Sequence, residues 1–302
     1  MSELSRTLSA LTTEAANPEW ADIDTWPTER LVSGMIAADA GLYDAIEECT
    51  GAITEAVDAI VARMQRGGRL IYVGAGTAGR MGVLDASEIP PTFGTDDGLV
   101  VGVIAGGDVA VRSAVENAED DVDAGSAVIA GLRVVEADTV VGIASSGRTP
   151  YVLGALAEAG RRGALTVGLT NNAGSPVGAA ADIAIEVVVG PEFVAGSTRL
   201  RSGTSQKLVL NLLSTCAMVR LGKTYGNLMV DLRATNEKLR VRSVRTVVAS
   251  TGVTPAEAAR ALEEADGAVK TAILMVLAGV DAAAARTRLE AAGGHLREAL
   301  SS

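Results

Sequence analysis

This 302-residue sequence predicts an α/β fold: a doubly wound, five-stranded parallel sheet followed by a C-terminal three-helix mini-domain. Two observations carry the prediction. Hydrophobic residues make up 48% of the chain but aromatic ones only 3%, so the core is built from Ala, Val, Leu and Ile, a palette suited to helices packed on buried strands. Five short apolar runs also recur between helix-patterned stretches, and they are nearly continuous rather than alternating, as expected of parallel strands covered on both faces. At this length one large domain with a small appendage is the natural arrangement.

The elements follow in order. Over 28–66, from "TERLVSG" to "VARMQR", apolar residues fall at helical spacing and end at Gly67-Gly68, which predicts one long helix, interrupted at most at "DAG". "RLIYVGAGTAGRMGVLDA" then reads as strand, glycine turn and helix. Further strands are expected at "LVVGVIAGG", "DTVVGIASSG", "LTVGLTNNAG" and "DIAIEVVVG", with helices at "VAVRSAVENAEDDVDAG" and "PYVLGALAEAGRRG". After Gly190 a polar loop feeds the long apolar helix of "SGTSQKLVLNLLSTCAMVRLG". "TPAE", 254–257, has the form of a capping box with Pro at the first helical position, and two more helical stretches follow it. These boundaries divide the chain into an N-terminal helical segment (1–66) packing on a central sheet domain (67–245), and a helical tail (246–302).

Composition excludes several roles. Lys+Arg 26 against Asp+Glu 37 gives a net charge of −11, which disfavours nucleic acid as a partner. Two cysteines make neither a disulfide framework nor an unaided zinc site, and the opening "MSELSRTLSA" has no apolar signal core, so a cytoplasmic protein is expected. The apolar stretch "TAILMVLAGV" is too short for a bilayer. The single histidine, His295, stands in the last ten residues, far from every glycine loop, so acid–base chemistry falls to carboxylates, Lys or Tyr.

Two turns read as anion cradles. "GAGTAGR", 74–80, fits G-x-G-x-x-G at a strand-to-helix junction, where backbone N–H groups and the helix dipole favour phosphate. A dinucleotide is disfavoured, because Asp96 and Asp97 precede the second strand instead of ending it. A tight turn with no ligand is the competing reading. "GIASSGRTP", 142–150, ends another strand with Ser145, Ser146 and Thr149, which either bind phosphate beside Arg148 or cap the following helix. It lacks the G-K-[ST] of a P-loop. In "VENAEDDVDAG" the acidic residues Glu116, Glu119, Asp120, Asp121 and Asp123 read from spacing as a solvated helix face. Lys207 and Lys238 are indistinguishable from surface lysines by pattern, and Glu88 is an acid just ahead of the double proline Pro90-Pro91.

Together "YVGAGTAGRMGVLDASEIPPTFG", "GIASSGRTPYV", "GSTRLRSGTSQKLVLNLLST" and "GNLMVDLRATNEKLRVRSVR" resemble the N-acetylmuramic acid 6-phosphate etherases, a family of the sugar isomerase (SIS) group, and the similarity extends through most of the chain. The resemblance implies an SIS-type three-layer sandwich and a ubiquitin-associated-like tail. It also implies cleavage of the D-lactyl ether of N-acetylmuramic acid 6-phosphate to N-acetylglucosamine 6-phosphate and D-lactate, in cell-wall amino sugar recycling. No metal or other cofactor and no membrane is implied, and a homodimer is. The reaction is an elimination across C2 and C3 of the ring-opened sugar followed by hydration.

Carried over by position, the resemblance assigns catalysis to Glu88, the proton donor, and Glu119, the second acid–base group. It assigns substrate binding to Gly76, Thr77, Ser145, Ser146, Thr149 and Lys238. One departure is Ala78, where the family usually has Ser. A non-catalytic sugar-phosphate-binding regulator and a sugar-phosphate aldose–ketose isomerase are the alternatives; both share the phosphate cradle, but the former is a longer chain with two such domains and the latter releases no lactate.

Overall fold

Five apolar runs become five strands in the computed structural model, which describes residues 11–232 and 237–301: β1 (Leu70–Gly74), β2 (Val100–Ile104), β3 (Thr139–Ala144), β4 (Leu165–Thr170) and β5 (Ile183–Glu186). All pair in parallel, in the order β2-β1-β3-β4-β5. Val73 lies opposite Val103 on one side and Gly142 on the other. Every residue of β1, β3 and β4 is buried, the physical meaning of their unbroken apolar character.

Glycines set how closely helices approach each face. The helix α4 (Gly76–Phe93) lies over Tyr72 and β2, where a Cβ on Gly82 would sit 2.8 Å from Tyr72 Cβ and one on Gly102 2.6 Å from Val83 Cα. On the opposite face α7 (Pro150–Arg161) covers β3, with Val152 and Leu156 against Gly142, α6 (Val122–Gly131) crosses it at Gly125 and Gly154, and the short α8 (Pro176–Ala179) follows β4. These helices on both faces of the sheet make the expected three layers.

Several elements differ from the sequence expectation. The segment 28–66 forms three helices, α1 (Thr28–Ala38), α2 (Leu42–Glu47) and α3 (Thr50–Met64), with the break at "DAG" joined by a second at Glu48-Cys49. The single helix expected over "VAVRSAVENAEDDVDAG" is also interrupted. The helix α5 (Gly107–Arg112) stops, Asn117 takes a left-handed φ of 60°, and a 3₁₀ turn at Ala118–Asp120 leads into α6, which Asp121 caps through the Ala124 N–H at 2.8 Å. A short polar side chain tolerates that conformation, and the pause bends the chain away from a helical path.

The double proline does not end α4, which runs to Phe93. Pro90 and Pro91 have the φ a helix needs but no N–H, so the carbonyls of Ala86 and Ser87 lose their usual partners while the helix continues.

Close packing divides the chain into two units elsewhere than at 246. One runs to Ser87 and resumes over Gly98–Ser214; the other holds Glu88–Asp97 and the chain from Thr215. The second unit contains α10 (Glu237–Thr251), within which residue 246 falls, and α11 (Pro255–Glu264), α12 (Val269–Ala278), α13 (Ala282–Ala291) and α14 (Leu296–Ser301). Its core is Val247, Leu262, Ile273, Leu274, Leu289 and Leu296 with interleaved alanines. The capping box forms as expected, Thr254 N–H donating to Glu257 Oε2 at 2.8 Å and Glu257 N–H to Thr254 Oγ1 at 3.3 Å. Beyond it stand four helices where three are expected from the sequence, because Gly293 and Gly294, at φ 58° and 82°, detach a last short one.

Candidate active site

The strand order reverses between β1 and β3, and both glycine turns lie there, at the C-terminal ends of those adjacent strands. After β1 the chain turns through Ala75 and Gly76, whose φ of 53° a side-chain-bearing residue rarely adopts, straight into α4. Gly74 and Gly79 touch: a Cβ on Gly74 would come within 2.7 Å of Gly79 N. Gly79 N–H reaches Ala75 O at 3.2 Å, so the N–H groups of the first helical residues before it have no intrahelical acceptor and are free for an anion. Thr77 is half-buried and meets a second helix, α9 (Arg201–Arg220), where a Cβ on Gly203 would lie 3.0 Å from Thr77 Cγ2. Ala78 is buried, so the family's hydroxyl is missing from a closed position.

The second turn is equally tight. Gly147 N–H donates to Ala144 O at 2.9 Å, and at its φ of 67° a Cβ would come within 2.3 Å of Ser175 Cβ. Ser146 Oγ accepts from Arg148 N–H at 3.3 Å. Thr149 occupies the N-cap of α7, yet its side chain makes no capping bond, leaving the hydroxyl uncommitted. Ser145 is held through its carbonyl by Asn172 Nδ2 (2.9 Å) and through Oγ by Gln206 Nε2 (2.9 Å).

Glu119 is brought to the first turn. It lines a cleft of about 200 Å³ with Ala75, Gly76, Arg80, Ala105, Glu116 and Asn117. Arg80, which the sequence reading passed over, ties that cleft's wall, donating from Nε to Val111 O at 3.1 Å and from Nη2 to Ser113 O at 3.4 Å. The acidic run is therefore not one solvated face: Asp121 caps α6, while Glu116 and Glu119 both line the cleft.

Glu88 lies exposed on α4, twelve residues after Gly76, and belongs to the second unit. One turn before it, Asp85 is 5% exposed and accepts from Tyr72 Oη (2.9 Å), Asn211 Nδ2 (2.7 Å) and Ser214 Oγ (3.2 Å). Burial pushes the Asp85 carboxyl above the usual aspartate range, against these donors and the nearby Lys207 ammonium. No single-sequence signal marks this cluster, since the partners of Asp85 lie up to 129 residues from it. Lys238 is exposed on α10 and lines a separate cleft in the second unit with Arg242 and Arg245; the residues just before it, 233–236, lie outside the described chain. A larger hollow of about 840 Å³ in that unit, around Lys223, Asp231 and Lys270, holds none of the expected site residues. Among the described residues no group of three His, Cys, Asp or Glu side chains is placed to hold a metal ion.

Residues 121–215 match the SIS domain family, and residues 52–159 match the glucokinase regulatory protein N-terminal SIS domain. An N-acetylmuramic acid 6-phosphate etherase of Streptomyces avermitilis is 56% identical over 293 residues, covering 97% of this chain and 94% of its own. That of Streptomyces coelicolor is 55% identical over 298 residues, covering 99% and 96%. That of Caldanaerobacter subterraneus is 51% identical over 294 residues, covering 97% and 96%.

Proposed function

We propose, from the premise that this chain belongs to the N-acetylmuramic acid 6-phosphate etherase family, that Glu119 and Glu88 carry the proton transfers of its reaction and that the two glycine turns hold the substrate's phosphate. The protein is an enzyme, cleaving the D-lactyl ether of N-acetylmuramic acid 6-phosphate to give N-acetylglucosamine 6-phosphate and D-lactate. The observation that carries the site assignment is Glu119 beside Gly76 in one cleft.

The chemistry needs two proton carriers. In the open-chain sugar the aldehyde acidifies the C2 proton; a carboxylate removes it, the C3–O bond breaks, and a carboxylic acid protonates the departing lactate oxygen. Water then adds at C3 and C2 is reprotonated, with the two carboxyl groups exchanging roles. The phosphate is placed against the N–H groups that open α4 and the hydroxyls of Thr77, Ser145, Ser146 and Thr149, a neutral cradle strengthened by the helix dipole. Lys238 is assigned to the ligand as well, its support being the cationic cleft it shares with Arg242 and Arg245.

We assign the working form to a homodimer in the cytoplasm. Support for the dimer comes from the resemblance to the etherase family, which implies one. No described helix is long and apolar enough to cross a membrane.

A coupled D-lactate assay tests the assignment. Glu119→Gln is expected to cut lactate release by about 10²- to 10⁴-fold while the protein stays folded, and full turnover would remove Glu119 from the mechanism. In oxygen-18 water the label is expected at C3 of the product sugar; label confined to lactate would overturn the elimination.

A further inference from the structure

Behind the second turn two buried amides form a directional chain. Asn171 follows β4, Gln206 lies one and a half turns into α9, and both are fully buried. Asn171 Nδ2 donates to Val187 O at 2.9 Å and to Ser205 Oγ at 2.8 Å. Gln206 Nε2 donates to Asn171 Oδ1 at 3.0 Å and to Ser145 Oγ at 2.9 Å.

The direction of every link follows from one group that can only accept. Val187 O is a backbone carbonyl, so the nitrogen of Asn171 must face it. Ser205 agrees, because its own proton goes to Ser202 O at 2.8 Å and its oxygen is left to accept. Asn171 Oδ1 therefore faces Gln206, and a flipped Gln206 would set two carbonyl oxygens 3.0 Å apart. With its nitrogen fixed there, the second N–H of Gln206 is spent on Ser145 Oγ. A hydroxyl that accepts from an amide still has its own proton to give, and no described side chain or carbonyl receives the one on Ser145.

We propose that the Asn171–Gln206 pair presets Ser145 as a hydrogen-bond donor to the substrate's phosphate, an acceptor-only group. Gln206 is thus a positioning residue, acting through Ser145. This rests on the reading that Ser145 belongs to the phosphate cradle. The stability of Gln206 points the same way: its Oε1 is buried without a partner, a destabilising condition that an apolar side chain of the same size would relieve.

A mutant cycle on the full-length enzyme tests it, with KM and kcat for N-acetylmuramic acid 6-phosphate and the inhibition constant of inorganic phosphate as readouts. Ser145→Ala removes a bond to a charged group and is expected to raise KM and the phosphate constant about 10-fold or more. Gln206→Met is expected to raise both by about 3- to 10-fold with kcat little changed, and to add nothing in the Ser145→Ala background. The same increase in both backgrounds would overturn the proposal, because Gln206 would then act independently of Ser145. If Ser145→Ala itself changes neither constant, the cradle assignment fails and the proposal with it. Should Gln206→Met not fold, Gln206→Glu serves in its place: a carboxylate draws the Ser145 proton inward, and an unchanged KM there would overturn the proposal equally.

Discussion

Tyr72 of β1 donates its hydroxyl to Asp85 of α4 at 2.9 Å, with both residues buried and Asn211 and Ser214 of α9 donating to the other carboxylate oxygen. One carboxyl group thereby ties a strand and two helices one turn ahead of Glu88. Removing the Tyr72 donor by Tyr72→Phe is expected to destabilise the protein by about 1–2 kcal/mol, read by urea unfolding.

The same carboxyl has a pH signature. Burial raises its folded-state pKa above the ordinary 3.8, so the folded protein binds the proton more tightly than the unfolded chain. Its contribution to stability is full below 3.8 and declines as pH rises through the higher folded value. Unfolding free energies of the wild type and Asp85→Asn, measured across the acid range, are expected to show this decline in the wild type alone.

Asp138 predicts the opposite slope. It is 1% exposed immediately before β3 and accepts from Arg69 Nη2 at 2.6 Å, Arg69 N–H at 2.8 Å and Val135 N–H at 3.0 Å. Burial alone would raise its pKa, but the Arg69 and Val135 bonds outweigh it and hold the carboxyl below the usual 3.8. Its stabilisation is present above that value and lost as pH falls through the depressed one. Asp138→Ala is expected to cost about 3 kcal/mol at neutral pH and to flatten the acid limb of the stability curve.

Glu88 and Glu119 are exposed and bonded to no other described residue, so their glutamine variants are expected to melt within a degree or two of the wild type. Lactate release is expected to fall by about 10²- to 10⁴-fold in each. A large drop in melting temperature would reassign the residue to structure.

Gly147→Ala is expected to weaken substrate binding and stability together, since the new Cβ would lie 2.3 Å from Ser175 Cβ at a φ of 67°. Gly160, on the exposed face of α7 with nothing within 4 Å, is the counterpart: Gly160→Ala is expected to stabilise by about 0.5–1 kcal/mol in thermal unfolding.

By itself the sequence determined the five strands, their parallel pairing and both glycine turns, because these depend on local properties: continuous burial, and glycine where a left-handed or crowded backbone is required. The capping box at Thr254 was legible for the same reason. Interruptions were harder to read. Nothing in the apolar spacing of "VAVRSAVENAEDDVDAG" marks Asn117 as left-handed, and nothing local to Pro90-Pro91 shows that α4 runs on through them to Phe93.

Only the tertiary structure decided which members of the acidic run reach the cleft at Gly76, Glu116 and Glu119, and that Asn171 and Gln206 stand behind Ser145. Those meetings depend on strand order and on how each helix is rotated over the sheet. Packing between residues 35 to 129 apart sets both, and no local period encodes it.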